Sequence, residues 1–329
     1  MKRISKILSL TVMTSLLLAS FTGCSTQEST SDDVVKIGVI QFGSHPSLDN
    51  CYTGILEGLE EAGFEYEIDF QNGNFDQATC DTIAKTMVSG GVDIILPIAT
   101  SPAISAYSAG METETPVVFV AISDPVAAGL VDSVEVPGGH ATGSSSVINL
   151  EKQLELIMAV QPDLEKLGVL YTTSEANSVS DIARIKEVAV THGIEIVDVG
   201  IQSAADIPQA AADLASKVDA INNLADNNVV NNLATVIEIA NAAGIPVYGS
   251  EEEQVENGCI ASEGIDYVQV GVAAAGIAID VVNGADISNY AVTVIDDATP
   301  FINTEVMESF GFEIPDAYAD ATMLASVTE

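Results

Sequence analysis

Short β-branched segments alternate with longer segments of helical spacing along this chain of 329 residues, and their order occurs twice. Such alternation predicts βαβ units around parallel sheets. Three strand-like segments match at offsets of 130, 126 and 130 residues: 36–41 with 166–172, 92–99 with 218–225, and 116–122 with 246–250. A weaker match joins 60–71 to 190–201. This order predicts a duplicated unit, although any two doubly wound domains share the alternation itself.

The apolar composition of these segments predicts that helices cover them. The strand-like segments are apolar almost throughout, as expected for strands covered by helices on both faces. Between them, Ile182, Ile185 and Val188 recur at helical spacing, and Gly193 marks the end of that helix. A body of about 300 residues exceeds the usual size of one core. We therefore predict an α/β fold of two doubly wound, Rossmann-like domains with a cleft between them.

The N-terminal segment has the pattern of an export signal. Three basic residues precede an uncharged run at 7–21, which is too short and hydroxyl-rich for a typical membrane span. The motif FTGC at 21–24 resembles a bacterial lipobox, in which the cysteine is lipidated. We expect a lipoprotein signal peptide at 1–23, a lipid anchor on Cys24 at the outer face of the cytoplasmic membrane, and a flexible tether at 24–34. An ordinary signal peptide with an incidental Cys24 is the alternative.

The charge balance excludes some partners. The chain has 48 acidic and 10 basic residues, a formal net charge of −38, which repels nucleic acid and anionic lipid. Hydrophobic residues make up 47% of it, so the charge does not predict disorder. Cys51, Cys80 and Cys259 are odd in number and lie in no metal-binding pattern. We expect them to be buried apolar residues, with a Cys51–Cys80 bridge left open.

Polar loops follow the predicted strands of both halves. Ligands of open α/β sheets bind beyond the carboxyl ends of the strands, so these loops predict a ligand site in the cleft. Their hydroxyls, amides, carboxylates and rings are the candidate ligand contacts. In the first half these are Phe42, His45, Thr100, Ser101, Ser123 and Asp124, and in the second Ser174, Glu175, Asn177, Ser178, Asp226, Asn227 and Glu251. Phe42 and His45, with Tyr171 and Tyr248, could form an apolar slot or simply pack in the core.

Two positions suggest how a zwitterion could be held. Thr100 and Ser101 precede Pro102, which favours the first turn of a helix. Free N–H groups at that turn would bind a carboxylate. Asp226 has the matching position in the second half and would face an ammonium group. Ser101 could instead cap its own helix, and Asp226 could cap a helix that begins near Val229.

Catalytic signatures are missing from the sequence. His45, His140 and His192 are far apart, and none has ligand spacing with a cysteine or a carboxylate pair. The chain contains no GxSxG, GxGxxG or GxxxxGK[ST] motif. We therefore predict a binding protein without cofactor or metal rather than an enzyme.

Five segments carry a family resemblance. KIGVIQFGSHPSLD, AISDPVAAGLVDSVEVPGGHATGSS, EKQLELI, GVLYTTSEANS and ADNNVV resemble the exported substrate-binding lipoproteins of ABC importers, and more narrowly the subgroup that binds tryptophan and other aromatic amino acids. The resemblance runs from about residue 35 to about 315. It implies a type I periplasmic-binding-protein architecture with a hinge, whose lobes would be 35–146 plus 266–291 and 147–265 plus 292–329.

The resemblance also has consequences for the hinge and the site. It implies crossings near Ser146, Ile265 and Val292, and it adds Gln41 to the ligand contacts. The chain departs from the family pattern at Ala225, where a hydroxyl is expected, and at GSEE in 249–252, where a GDE-like turn is expected. Both departures lie at the predicted cleft, so they concern ligand identity rather than the fold.

The function that the resemblance implies is extracytoplasmic. We expect a solute-binding component that closes on a small amino-acid-like ligand, with an aromatic amino acid favoured. It would deliver this ligand to an ABC permease powered by a partner ATPase. The alternatives are a ligand-binding sensory module and a receptor for a nucleoside or sugar.

Overall fold

The computed structural model describes residues 34–326. The predicted signal peptide and Cys24 lie outside the described residues, as does the tether up to residue 33. Within 34–326, no helix has both the length and the apolar character needed to cross a membrane.

The described residues alternate between strands and helices. The strands are β1 (Val35–Gln41), β2 (Tyr66–Asn72), β3 (Ile94–Ile98), β4 (Val117–Val120), β5 (Ala141–Ser146), β6 (Lys166–Thr172), β7 (Glu195–Ile201), β8 (Ala220–Asn222), β9 (Val247–Tyr248), β10 (Ala261–Gly264), β11 (Thr293–Ile295), β12 (Thr299–Asn303) and β13 (Thr322–Leu324). The helices are α1 (Pro46–Glu61), α2 (Gln77–Gly90), α3 (Thr100–Gly110), α4 (Leu150–Val160), α5 (Ala176–His192), α6 (Ile207–Ala215), α7 (Asn227–Asn231), α8 (Leu233–Ala243), α9 (Glu252–Glu256), α10 (Tyr267–Val282) and α11 (Thr304–Phe310).

Two parallel sheets share one strand order. The first sheet has the order β11-β5-β4-β3-β1-β2, and the second has β7-β6-β8-β9. The first four strands of each half are therefore arranged 2-1-3-4 in both, which agrees with the predicted duplication. The predicted α/β fold with parallel sheets in two domains is confirmed.

The second lobe extends beyond its parallel strands. A three-stranded sheet of order β10-β12-β13 adjoins it, with β10 and β12 antiparallel. Two backbone hydrogen bonds join β9 to β10, from the Ile260 N–H to the Val247 carbonyl (2.8 Å) and from the Gly249 N–H to the Ala261 carbonyl (2.9 Å). These bonds connect the two sheets of the second lobe.

Helices α1 and α10 pack closely beside the first sheet. A Cβ atom at Gly54 would lie 2.0 Å from the Val268 carbonyl oxygen, and one at Gly271 would lie 2.1 Å from the Cys51 carbonyl oxygen. Only glycine permits this approach. The close packing aligns the two helices so that both begin at the cleft between the lobes.

The last crossing between the lobes comes later than predicted. The expectation was a crossing near Val292, but β11 (Thr293–Ile295) pairs in parallel with β5 of the first sheet. This pairing covers an otherwise open sheet edge, whose unpaired backbone groups would be unfavourable. The chain therefore leaves the first lobe after Ile295. The first lobe keeps its own core, and the second has separate apolar clusters.

The three described cysteines are structural. Cys51, Cys80 and Cys259 are all buried and free, so Cys51 and Cys80 are not bridged. Burial raises the pKa of each thiol above its ordinary value. They are therefore protonated apolar groups of the core, as expected.

Candidate functional site

A narrow cavity lies between the lobes, where strands of both sheets end. Its volume is about 30 Å³. Its lining comes from His45, Leu48, Ala99, Thr100, Ala121, Ser123, Ser146 and Tyr267 of the first lobe and Asn177, Ala225, Asn227, Val230 and Glu251 of the second. A wider outer pocket of about 240 Å³ shares His45 and Val230 with this cavity. The two spaces are therefore neighbours along the cleft.

Three buried polar atoms in this lining have no hydrogen-bond partner among the described residues. They are Nδ1 of His45, Oγ of Ser123 and Oδ1 of Asn177. Buried polar atoms in folded proteins are nearly always paired, so each exception calls for an explanation. Their convergence from both lobes on one cavity identifies it as the candidate ligand site.

The backbone of the first lobe is strained at this cavity. Ala99 has a φ of 84° and Ala121 has a φ of 60°. Non-glycine residues at positive φ cost about 1–3 kcal/mol each, and such strain clusters at functional sites. Ala99 turns the chain from β3 into α3, and no side chain caps that helix. The N–H groups of Thr100 and Ser101 are therefore free of intrahelical partners at the edge of the cavity.

Asp226 lies behind the cavity rather than in it. One carboxylate oxygen accepts from the Thr172 hydroxyl (2.9 Å) and the Val229 N–H (2.9 Å). The other accepts from the Thr172 N–H (2.5 Å) and the Ser178 hydroxyl (2.7 Å). Four donors occupy the carboxylate, which caps α7. The helix cap that the sequence left open is therefore present, and the four donors argue against the predicted ammonium contact of Asp226.

Glu175 holds the neighbouring loop in place. Its carboxylate accepts from the backbone and side-chain nitrogens of Asn227 (3.2 and 2.6 Å) and of Asn228 (3.3 and 3.0 Å). Burial, followed by repulsion from Asp226, raises the pKa of Glu175 to about 7. Glu175 thus acts on the cavity through Asn227, whose Oδ1 lies 3.2 Å from Nε2 of His45 across the cleft.

Glu251 is the carboxylate among the residues that line the cavity. One oxygen accepts from the Tyr267 hydroxyl (2.9 Å), and the other accepts from the Ser47 hydroxyl (2.7 Å) and from Nε2 of Gln254 (2.8 Å). Tyr267 and Ser47 belong to the first lobe. The predicted site residue Glu251 therefore lies where the two lobes meet.

Several residues predicted to contact the ligand contact other parts of the protein instead and do not border the cavity. Gln41 is buried and donates to the Gly43 carbonyl (2.8 Å) and to Asp49 (2.6 Å). Phe42 packs edge-on against Phe75, with ring centroids 5.7 Å apart. Neither borders the cavity, and the same holds for the rings of Tyr171 and Tyr248.

The remaining predicted residues surround the cavity without lining it. Ser101 neither lines the cavity nor caps α3 through its side chain. Ser174 is exposed, and Ser178 donates to Asp226. Asp124 accepts from the Ala127 N–H (2.9 Å) and, across the cleft, from the Ser180 hydroxyl (2.6 Å). The structure thus brings together His45, Thr100, Ser123, Asn177, Asn227 and Glu251 from the predicted set.

Sequence reasoning missed part of the lining. Leu48, Val230 and the alanines at 99, 121 and 225 have no polar group to attract attention. Tyr267 directly follows the predicted return crossing at 265–266, which is the signal that could have identified it. Among the described residues, no group of His, Cys, Asp and Glu side chains could hold a metal ion.

Comparison with known proteins shows the family of the chain. The model of a family described as ABC transporter substrate binding protein matches residues 36–323. The chain is 35% identical over 322 residues to a tyrosine-binding protein of Clostridioides difficile strain R20291, covering 94% of this chain and 93% of that protein. A structure of an ABC domain from Streptococcus pneumoniae in complex with L-Trp is 35% identical, with a TM-score of 0.86, and the match covers 88% of this chain and 99% of that one.

An open relative indicates the state of the cleft. A ligand-free, open structure of a substrate-binding protein with adhesive properties from Clostridium difficile is 34% identical, covering 89% of this chain and all of that one. Its TM-score is only 0.68, compared with 0.86 for the L-Trp complex. By this measure the chain is more similar to the L-Trp complex than to the open structure. Hydrogen bonds such as that from Ser47 to Glu251 join its two lobes across the cleft, and we call this arrangement closed. Fold, site geometry and sequence therefore agree that the chain belongs to the family of ABC transporter substrate-binding proteins.

Proposed function

We propose that this chain binds an aromatic amino acid between its lobes and delivers it to an ABC permease. As the solute-binding component of an ABC transporter, it acts outside the cytoplasm. The observation that carries the choice of ligand is the set of unpaired polar atoms of His45, Ser123 and Asn177 around one interlobe cavity. The tyrosine and tryptophan named for two relatives support an aromatic side chain.

The ligand carboxylate would bind to the first lobe. The uncapped N-terminus of α3 offers the N–H groups of Thr100 and Ser101, and the unpaired Ser123 hydroxyl adds a donor. A helix N-terminus with free N–H groups favours an anion both by hydrogen bonding and by its dipole. Thr100 and Ser101 begin α3 directly after β3, and Ser123 lies in the loop after the neighbouring strand β4.

The ligand ammonium would bind to the second lobe. Glu251 offers a carboxylate and Asn177 an unpaired carbonyl oxygen, and both line the cavity. An amino acid held in this way connects acceptors of one lobe with donors of the other. It therefore stabilises the closed state over the open one, as a ligand-driven closure requires.

The aromatic ring would extend toward the outer pocket. Val230 borders both spaces, and Leu233, Ala234 and Pro46 give the outer pocket its apolar surface. Binding there requires the side chains between the two spaces to move, because the inner cavity is smaller than an aromatic amino acid. The departure at Ala225, also in the lining, removes a hydroxyl and leaves more room for a ring.

The cell-surface arrangement follows from the N-terminal pattern. We infer that Cys24 carries a lipid anchor, such as palmitate, which keeps the protein beside its permease and ATPase. The proposal needs no cofactor and no enzymatic step. A change of Cys24 to Ser should release the protein from membranes, and fractionation of cells expressing both forms tests this.

The ligand is tested by thermal unfolding of residues 25–329 with amino acids, nucleosides and sugars. A ligand at 100 times its Kd adds about 2.7 kcal/mol, which shifts the Tm by a few degrees for a body of this size. We expect shifts with L-tyrosine or L-tryptophan, and much smaller shifts with analogues that lack the carboxylate or the amino group. A shift with a nucleoside or sugar alone would contradict the proposal.

The ammonium contact is tested with Glu251→Gln. We expect it to weaken binding of the amino acid by a factor of about 30 or more, because a buried charge loses its partner. The exposed Ser174→Ala is the matched control and should bind normally. If Glu251→Gln weakens an analogue lacking the amino group just as much, Glu251 does not contact the ammonium.

A further inference from the structure

A second carboxylate, Glu253, faces the first lobe beside the proposed ligand site. One oxygen accepts from Nδ2 of Asn50 (2.6 Å), and the other lies 3.4 Å from the Ser47 hydroxyl. Ser47 also donates to Glu251, which accepts from Tyr267. These five residues form a hydrogen-bonded cluster that spans the cleft, and we call it the latch.

The latch buries negative charge without a cation. Only 8% of Glu253 and 2% of Glu251 is exposed. Within the described residues, none of the ion pairs includes either carboxylate. The charged or titratable groups that face the latch are Glu252 on α9, Asp266 and Tyr267 at the start of α10, and Cys51 and His45 at α1. None of these is a lysine or an arginine.

Opening the cleft would expose the carboxylate of Glu253 to water. Parting the lobes removes Asn50 and Ser47 from Glu253 and replaces them with water. Closing reverses the change: it brings Ser47 and Asn50 against Glu253 and removes water from two carboxylates that belong to the same lobe. Burial and a like charge both disfavour the ionised form of an acid. The closed arrangement is therefore easier to reach when one of the two carboxyl groups is protonated.

We propose that closing the cleft takes up a proton on Glu253, so that the closed state and ligand affinity are favoured as the pH falls. The inference rests on the proposed function, because it assumes that the ligand binds by closing the lobes. In this proposal Glu251 contacts the ligand ammonium, and Glu253 takes part in closure. Glu253 is a positioning residue, since it acts on closure through Asn50 and Ser47 of the first lobe.

The direction of the effect follows from the two states of Glu253. Burial, followed by repulsion from Glu251, raises its pKa from the ordinary 4.5 to about 7 in the closed arrangement. Above pH 7 neither state binds the proton, and affinity is lowest. Between pH 7 and 4.5 only the closed state binds it, so affinity rises as the pH falls. We expect roughly tenfold tighter binding at pH 5.5 than at pH 7.5.

The test is calorimetry of L-tryptophan binding at pH 5.5, 6.5 and 7.5, each in two buffers of different ionisation heat. Wild-type protein should take up about half a proton or more near pH 6.5. Glu253→Gln keeps an acceptor for Asn50 and should abolish both the uptake and the pH dependence. Glu256→Gln, on the same helix and without a hydrogen bond to the first lobe, is the matched control and should keep both.

Two results would overturn the proposal. One is a Kd that does not change with pH in the wild type, and the other is a slope that persists in Glu253→Gln. His45 is a second titratable side chain in the lining of the outer pocket, beside Glu253. A slope lost in His45→Asn but kept in Glu253→Gln would assign the proton to His45 instead.

Failure of the ligand proposal would not prevent the test. If L-tryptophan does not bind at any pH, the proposed ligand is wrong. X-ray scattering of the unliganded protein then tests whether protonation of Glu253 favours the closed arrangement. Acidification from pH 7.5 to 5.5 should reduce the radius of gyration of the wild type but not of Glu253→Gln. An identical radius at both pH values in the wild type would refute the proton-linked closure.

Discussion

The two lobes present their polar groups to the cleft in opposite ways. The first lobe offers open groups, with strained alanines at 99 and 121, an uncapped α3 and an unpaired Ser123 hydroxyl. The second lobe offers groups that are already occupied, since Asp226 and Glu175 each accept four hydrogen bonds.

This difference has a physical interpretation. Unpaired donors and strained backbone raise the energy of the unliganded site, and a ligand that pairs them recovers part of it. A carboxylate whose oxygens already accept four hydrogen bonds holds a loop in place, but it has little capacity left to accept a hydrogen bond from a ligand. The first lobe therefore resembles a receptor surface, and the second resembles a rigid support that presents Asn177, Asn227 and Glu251. All ion pairs of the described residues also belong to the second lobe.

The largest expected effect is a loss of stability when Asp226, which supports the second lobe's side of the cleft, is removed. Asp226→Ala leaves the N–H groups of Thr172 and Val229 and the Ser178 hydroxyl unpaired in a buried position. We expect a loss of about 3 kcal/mol or more in the free energy of unfolding. Urea denaturation of residues 25–329 measures it. A stable variant that loses only ligand affinity would restore Asp226 as a ligand contact.

The next effect tests the strain of the first lobe. Ala99→Val places a β-branched residue at a φ of 84°, and we expect it to cost about 2–3 kcal/mol and to abolish binding. Ala99→Gly should stabilise the protein by up to about 1 kcal/mol. Ala103→Gly, a buried helical position nearby, should destabilise it. Equal losses in both glycine variants would show that Ala99 is not strained.

Much of the fold could be predicted because its signals are local. Apolar segments such as 36–41 and 166–172 have a length and composition that fit a buried parallel strand, and their repetition identifies the two sheets. The site's general position followed, since strand ends mark the cleft. This reasoning placed Thr100, Ser123 and Asn177 at the cavity.

The rest of the site depends on contacts that the sequence does not encode locally. An alanine with positive φ looks like any other alanine, so Ala99 and Ala121 gave no signal. Asp226 was misread because its donors Thr172 and Ser178 lie about 50 residues away. The crossing near Val292 was misplaced because the pairing of 293–295 is decided by the open edge of β5.

The pH dependence of stability gives a smaller effect, to which the support contributes through Glu175. Glu175 has its pKa raised to about 7 in the folded state, compared with its ordinary 4.5. The folded protein therefore binds this proton more tightly, and the stabilisation present below pH 4.5 is lost as the pH rises through 7. We expect the wild-type Tm to fall by a few degrees from pH 5.5 to 8, and less so in Glu175→Gln. The exposed Glu238 provides a control, since Glu238→Gln should not alter the wild-type slope.

The smallest expected effect concerns a contact between the lobes away from the cavity. Ser180 of the second lobe donates to Asp124 of the first at 2.6 Å, and both side chains are half-buried. A hydrogen bond that water can replace contributes about 1 kcal/mol or less. Ser180→Ala should therefore weaken ligand binding less than fivefold by calorimetry, far less than Glu251→Gln. The comparison matters because both contacts form only when the lobes close. If Ser180→Ala weakened binding as strongly as Glu251→Gln, closure itself, rather than contact with the ligand, would dominate the affinity, and the second lobe would act mainly as a lid.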